Sequence, residues 1–183
     1  MKFKIKGVLT ITIINIIIFV LTLGGLAFSD ILGNYWAYTF LNHEYYRLFT
    51  CMFVHAGFSH IICNTITLWQ YGILVENAYG TRKFILLYIL SGLGASLGSA
   101  GINMIFNRAI ISVGASGAIC GLLGIIIADL KGNKKGKFIN ILCGLVPLFI
   151  IGITPGVDNI AHFSGVFVGY IVGRIFKSKY EKY

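Results

Sequence analysis

Gly114-Ala115-Ser116-Gly117-Ala118-Ile119-Cys120-Gly121 opens an apolar run that continues as Leu122-Leu123-Gly124-Ile125-Ile126-Ile127. The run carries no charge and no strand-like alternation, so it reads as a helix embedded in lipid. Ser116 stands at its head between small residues, with no neighbouring side chain to shield its hydroxyl. A polar group at membrane depth is costly to keep, and it points to function. Taken alone the serine has a blander meaning, a small residue in a helix contact, because Gly117, Gly121 and Gly124 form a small-residue ridge.

The rest of the chain supports a membrane setting. Of 183 residues, 57% are hydrophobic and 11% charged, whereas a soluble domain carries about a quarter charged residues. Mean hydropathy is +0.84. The 23 glycines permit close helix packing, and with two prolines long helices run uninterrupted. No ten-residue alternating pattern supports a β-barrel. The formal net charge of +9 is explained by basic residues flanking cytoplasmic span ends, not by nucleic-acid binding.

Apolar segments are expected at about 8–28, 52–75, 84–97, 114–128, 138–153 and 159–176. The run at 8–28 has the length of a span and exceeds a signal-peptide core, so it is kept as the first helix. The intervening stretch 29–50 is rich in aromatics and suits the headgroup zone, partly as short helices. With the N-terminus inside, the inner segments hold Lys2, Lys4, Lys6, Arg82, Lys83, Lys131, Lys134, Lys135, Lys137, Arg174, Lys177, Lys179 and Lys182. The outer loops hold Arg47 and Arg108, so 13 of the 15 Lys and Arg lie inside. This bias predicts six spans with both termini cytoplasmic. Residues 1–183 form a single domain, without a linker or repeat. Cys51, Cys63, Cys120 and Cys143 lack CxxC spacing and are expected as buried small side chains.

This topology puts the unusual polar residues in one leaflet. Ser116 heads the fourth span, His55 and His60 occupy the outer half of the second, and His162 lies near the outer end of the sixth. Gly165, Gly169 and Gly173 cut a groove along the sixth helix, one turn below His162. The glycine ridge of the fourth helix fits that groove, which would bring Ser116 within hydrogen-bond reach of His162. A neutral imidazole can take the serine proton. Asp158, four residues before His162, lies at the loop edge, so a Ser-His dyad is expected and not a triad. Acyl transfer also needs oxyanion donors. His60 and Asn64, spaced i, i+4, share a helix face, and the Ser116 backbone N–H is a third donor. The bland alternative, interhelical hydrogen bonding, fits His55 better than Asn64. A metal site built on His55, His60, His162 and Cys63 is disfavoured, for want of a chelating motif or a carboxylate at that depth. Glu76, Arg82 and Arg47 read as local capping and ion pairing.

Together these residues resemble the rhomboid family of intramembrane serine proteases, over nearly all of residues 44–173. The family pattern appears as Tyr46-Arg47, as His55-Ala56-Gly57-Phe58-Ser59-His60 with Asn64, as Glu76 with Gly80, as Gly114-Ala115-Ser116-Gly117, and as Ala161-His162 with Gly165 and Gly169. The resemblance implies an all-α polytopic membrane protein, a six-transmembrane-helix rhomboid-like bundle around a water-filled cavity open to the outer side. In it Ser116 is the nucleophile, His162 the base, and His60, Asn64 and the Ser116 N–H the oxyanion donors. Gly114, His55 and Cys120 take supporting positions. The fifth helix and the loop before His162 correspond to a mobile gate and cap. Partners are the lipid bilayer and transmembrane protein substrates, cut near their outer end at small or helix-breaking residues, since a helical peptide bond must unwind to be attacked. No cofactor, metal or nucleic acid is implied. Short length and an Ile-, Lys- and Asn-rich composition suggest a bacterial plasma membrane. Two positions depart from the pattern: Cys120 stands where many relatives have an aromatic beneath the histidine, and Tyr46 where tryptophan is common. The rival is a non-proteolytic rhomboid-like protein that binds transmembrane helices; such proteins lose the serine or the histidine. A small transporter would show charges in mid-membrane or interrupted helices.

Overall fold

The computed structural model of the chain describes residues 4–23, 28–128 and 157–176. The described residues form helices and contain no strand. They are α1 (Lys6–Thr22), α2 (Phe28–Leu32), α3 (Arg47–Thr50), α4 (Phe58–Tyr79), α5 (Thr81–Ile105), α6 (Ser116–Ala128) and α7 (Asn159–Ile175). A π-helical turn at Ala37–Leu41 and a 3-10 turn at Cys51–Phe53 lie between α2 and α4. The expected fifth segment at 138–153, with Cys143 and the basic stretch 129–137, lies outside the described residues. Each of the other five expected segments contains a described helix. α5 by itself is long and apolar enough to cross a membrane, and a second crossing qualifies if the bent pair Arg47–Phe53 and Phe58–Tyr79 counts as one.

α6 is the central element. Its residues Gly117 to Ile125 are all buried, because α4, α5 and α7 pack around it. That explains why its sequence is apolar on every side and not amphipathic. α6 and α7 meet backbone to backbone. A Cβ on Gly165 would lie 2.2 Å from the Gly117 carbonyl oxygen, one on Gly169 2.0 Å from that of Gly121, and one on Gly124 2.1 Å from that of Val166. The two glycine ridges thus dock as the spacing predicts.

The interior is an apolar core that also holds polar side chains, and much of the outside is apolar too. Asn15, Asn64, Glu76, Ser91 and Asn103 are buried, whereas Leu9, Ile13, Ile17, Val20 and Leu21 on α1 and Phe163 and Phe167 on α7 are exposed. Where lipid is the surrounding solvent, nothing penalises the exposed apolar side chains. α1 is pinned at its start by Glu76, whose side chain is 0% exposed. Its carboxyl oxygens accept from the N–H groups of Gly7 at 2.8 Å and Val8 at 2.9 Å, and from the Thr81 hydroxyl at 2.6 Å. Glu76 therefore satisfies the orphan donors of another helix, not only its own turn.

Three expected boundaries are corrected. The first helix ends at Thr22, not at 28, just before the poor helix formers Gly24 and Gly25. The second span does not begin at 52: the chain turns by 93° between Arg47–Phe53 and Phe58–Tyr79, with Val54 extended, so His55 is off the helix that carries His60. The third helix runs to Ile105, eight residues beyond the expected 97. The expected end placed Gly98 in a loop, but it lies against Ser164 of α7, as Gly94 does against Val168, and this packing outweighs their low helix propensity. Cys51 and Cys120 are buried as expected, but Cys63 is exposed.

The stretch 29–50 is tied down through Arg47, which is buried. Its guanidinium donates to Glu44 at 2.5 Å and to the carbonyls of Asp30 at 2.7 Å and Gly33 at 2.9 Å, and it lies 4.8 Å from the Tyr38 ring centroid. That hydrogen bond holds the Glu44 carboxyl below the usual carboxylate range. Farther on, Asn34 and Ser112 exchange two backbone hydrogen bonds of 2.9 Å, and the Asn34 amide donates to the Ser96 carbonyl of α5 at 2.7 Å. The first loop and the segment leading into α6 are thereby joined.

Candidate active site

Ser116 is the first residue of α6. Gly114 before it has φ +117°, a left-handed conformation that disfavours any side chain. This kink delivers the chain to the helix start, braced by the Gly114 N–H donating to the Cys51 carbonyl at 2.9 Å. At a helix start the first N–H groups have no intrahelical acceptor, and the Ser116 N–H is one of them.

His162 sits on the first turn of α7 and is 8% exposed. Its Nε2 is 2.8 Å from Ser116 Oγ. The glycine contacts described above set the depth at which the two helices meet, and therefore this distance. Among the described residues His162 Nδ1 is buried with no hydrogen-bond partner. Asp158 makes no hydrogen bond to that nitrogen. It caps α7 instead, its Oδ1 accepting from the Ala161 N–H at 3.0 Å, while its Oδ2 accepts from the hydroxyls of Ser99 and Ser112.

His60 and Asn64 share one face of α4, and Asn64 Nδ2 donates to the His60 carbonyl at 3.0 Å. His60 presses on the Gly114 backbone: a Cβ there would lie 2.6 Å from His60 Nε2 and 3.7 Å from Asn64 Nδ2. The Ala56 N–H donates to His60 Nδ1 at 3.4 Å. In the neutral ring this leaves the proton on Nε2, the nitrogen that faces Gly114. His55 lies beside it, ring centroids 5.1 Å apart at 68°, with its Nδ1 donating to the Phe53 carbonyl at 3.2 Å. His55 thus backs His60 from the loop. Cys120 is buried one turn below Ser116, its Cβ 3.4 Å from where a Cβ on Gly165 would stand.

Ser116, His162, His60, Asn64 and Gly114 line one cavity of about 440 Å³. Cys63, Thr67 and Gln70 continue its wall down α4. The structure therefore places Ser116, His162, His60, Asn64, Gly114 and Cys120 on one cavity wall, with His55 beside His60 but off that wall. It adds Asp158, Ser99 and Ser112. Asp158 was legible as an N-cap, an Asp directly before a helix; nothing in the local sequence marked the two serines. Chemically, the cavity offers a hydroxyl hydrogen-bonded to an imidazole and N–H donors from two further directions, the elements of an acyl-transfer site.

A family model described as Rhomboid domain matches residues 42–179. The chain is 40% identical over 140 residues to RHOMBOID-like protein 1 of Arabidopsis thaliana, covering 73% of this chain and 35% of that protein. It is 33% identical over 132 residues to Rhomboid protease GluP of Bacillus subtilis, covering 69% of this chain and 25% of that one. With Putative rhomboid protease YdcA, also of Bacillus subtilis, it shares 29% identity over 147 residues, or 77% of this chain and 72% of YdcA. The chain spans about a third to just under half the length of the first Arabidopsis relatives it matches. On the match that covers most of its length, and on a helical bundle with a broadly apolar exterior, this chain belongs to the rhomboid family of polytopic membrane proteins.

Proposed function

We propose that this protein is a serine endopeptidase that cleaves transmembrane segments of other membrane proteins near their outer end. The observation that carries the reading is the 2.8 Å contact between Ser116 Oγ and His162 Nε2, at the head of a helix and on the wall of a cavity. In this reading the Ser116 hydroxyl attacks the scissile carbonyl carbon as its proton passes to His162 Nε2. The proton then moves to the departing amine, leaving an acyl-enzyme that water hydrolyses by the same route. Negative charge on the carbonyl oxygen is met by His60 Nε2–H, Asn64 Nδ2–H and the Ser116 N–H, groups already fixed before substrate arrives. His162 acts in a dyad, a reading supported by its Nδ1 having no hydrogen bond to a carboxylate among the described residues. Supporting places go to Gly114, His55 and Cys120. We further assign six spans, both termini on the cytoplasmic side and a bacterial plasma membrane, on the bias of Lys and Arg.

The rival, a non-proteolytic relative that binds transmembrane helices, has no use for a paired serine and histidine. The test is labelling by a fluorophosphonate, with cleavage of a model transmembrane substrate in detergent followed in parallel. Wild-type protein is expected to label and cleave, and Ser116→Ala and His162→Ala to do neither. Equal cleavage by the Ser116→Ala protein would overturn the assignment.

A further inference from the structure

Two segments lead into the Ser–His pair. One runs from α5 through Ser112 to Ser116; the other runs through Asp158 to His162. Ser112 lies four residues before Ser116, and Asp158 lies four before His162. These two residues touch: the Ser112 hydroxyl donates to Asp158 Oδ2, and the Ser99 hydroxyl of α5 donates to the same oxygen. The other carboxyl oxygen accepts the Ala161 N–H at 3.0 Å, one residue before His162. Asn103 Nδ2 in turn donates to Ser99 Oγ at 3.1 Å, and Ser112 is held by its paired backbone hydrogen bonds to Asn34. One carboxyl group thus joins α5, the strand-like approach to the serine and the first turn of the histidine helix.

The geometry points to Asp158 as a positioning residue for the reaction, a clasp with Ser112 and Ser99 that sets the register of His162 on Ser116 without touching the reacting atoms. The glycine contacts between α6 and α7 fix how closely the helices approach. They resist sliding and tilting at the outer end less well, because the ridges lie below the histidine. The clasp sits at that outer end and supplies the missing constraint. A shift of about 1 Å at such a pair is enough to cost on the order of 100-fold in rate. Removing the clasp should therefore lower turnover and leave substrate binding nearly unchanged. An amide at position 158 keeps much of the geometry: its oxygen still caps Ala161, and its nitrogen still reaches the hydroxyls, which can turn to accept.

This inference rests on the protease reading, and the experiment separates the two. The full chain in detergent is assayed on a model transmembrane substrate, with fluorophosphonate titration to count competent sites. Asp158→Ala is expected to lower kcat per titrated site about 10- to 100-fold with KM within about twofold, and Asp158→Asn to recover most of that loss. Ser99→Ala with Ser112→Ala should lower kcat in the same direction, and adding Asp158→Ala to that pair should cost little more. A wild-type kcat per titrated site in Asp158→Ala, or losses that simply multiply, would overturn the clasp while leaving the protease intact. If Asp158→Ala does not fold, the serine variants, which keep the helix cap, carry the same test. If the wild type neither labels nor cleaves, the protease reading fails. The clasp is then judged by thermal unfolding of the Asp158→Asn and Ser112→Ala cycle, where non-additive midpoints sustain it and additive midpoints end it.

Discussion

Gly165 stands so close to Gly117 that a Cβ added to it would lie 2.2 Å from the Gly117 carbonyl oxygen. No ordinary van der Waals contact is that short, so a side chain there must drive α6 and α7 apart by about 1 Å. Gly165→Ala and Gly169→Ala are accordingly expected to lower cleavage by on the order of 100-fold and to reduce stability by about 1–3 kcal/mol. Gly101→Ala is the control, since a Cβ there meets nothing within 4 Å among the described residues. It should keep full activity and stabilise α5 by up to about 1 kcal/mol. Cleavage rates and unfolding midpoints of the three variants decide the point.

Gly114→Ala is expected to be inactive for a different reason. The residue has φ +117°, and its Cβ would meet His60 Nε2 at 2.6 Å. The substitution strains the turn into Ser116 and displaces a proposed oxyanion donor together. Loss of one such donor costs about 100- to 1,000-fold in kcat. A fall confined to KM would count against the placing of His60.

Glu76→Ala should unfold the protein more readily without changing its chemistry. It would leave the N–H groups of Gly7 and Val8 and the Thr81 hydroxyl without the carboxyl that receives them. The expected loss is roughly 2–4 kcal/mol, seen as a lower unfolding midpoint, with unchanged kcat per fluorophosphonate-titrated site. A lower kcat per site would tie α1 to catalysis.

Glu44 gives a pH-dependent effect of defined sign. Its pKa is lowered from the ordinary 4.5, chiefly by its hydrogen bond to Arg47. The contribution is therefore complete above the unfolded-state value and is lost as pH falls through the depressed folded value. Unfolding midpoints of wild type and Glu44→Gln should differ slightly and constantly at neutral pH and converge only in acid below that ordinary value. High salt should narrow the gap, because the Glu44 end of the pair is partly open to solvent. Convergence already near neutral pH would refute the assignment.

Cys120→Ala should retain cleavage within a few-fold. The thiol is buried against the Gly165 turn and is spared any chemical step in the mechanism proposed. Complete loss of cleavage would show that the thiol takes part.

Much of the site was legible without coordinates because its signals are local. The i, i+4 spacing of His60 and Asn64 fixes their shared face whatever else happens. The four-residue glycine spacings on α6 and α7 announce a close helix pair. The helix breaks were less legible. Residues 52–57 are apolar enough to extend α4, and only the 93° turn removes His55 from it. An end at 97 puts Gly98 in a loop, whereas its contact with Ser164 of α7 belongs to a helix that continues through it.

The sequence by itself determined the medium, the helical class and the kinds of side chain at membrane depth. Apolar runs without charge have few ways to satisfy their backbone in lipid, and a helix is the one they can complete alone. What only the tertiary structure decided was which polar groups meet. The glycine ridges already put Ser116 near His162, but the burial of Glu76 under α1 and the junction of Asp158 with Ser99 and Ser112, each joining residues more than 40 positions apart, had no such signal. Such pairings depend on where whole helices come to rest against one another, and no local spacing encodes that.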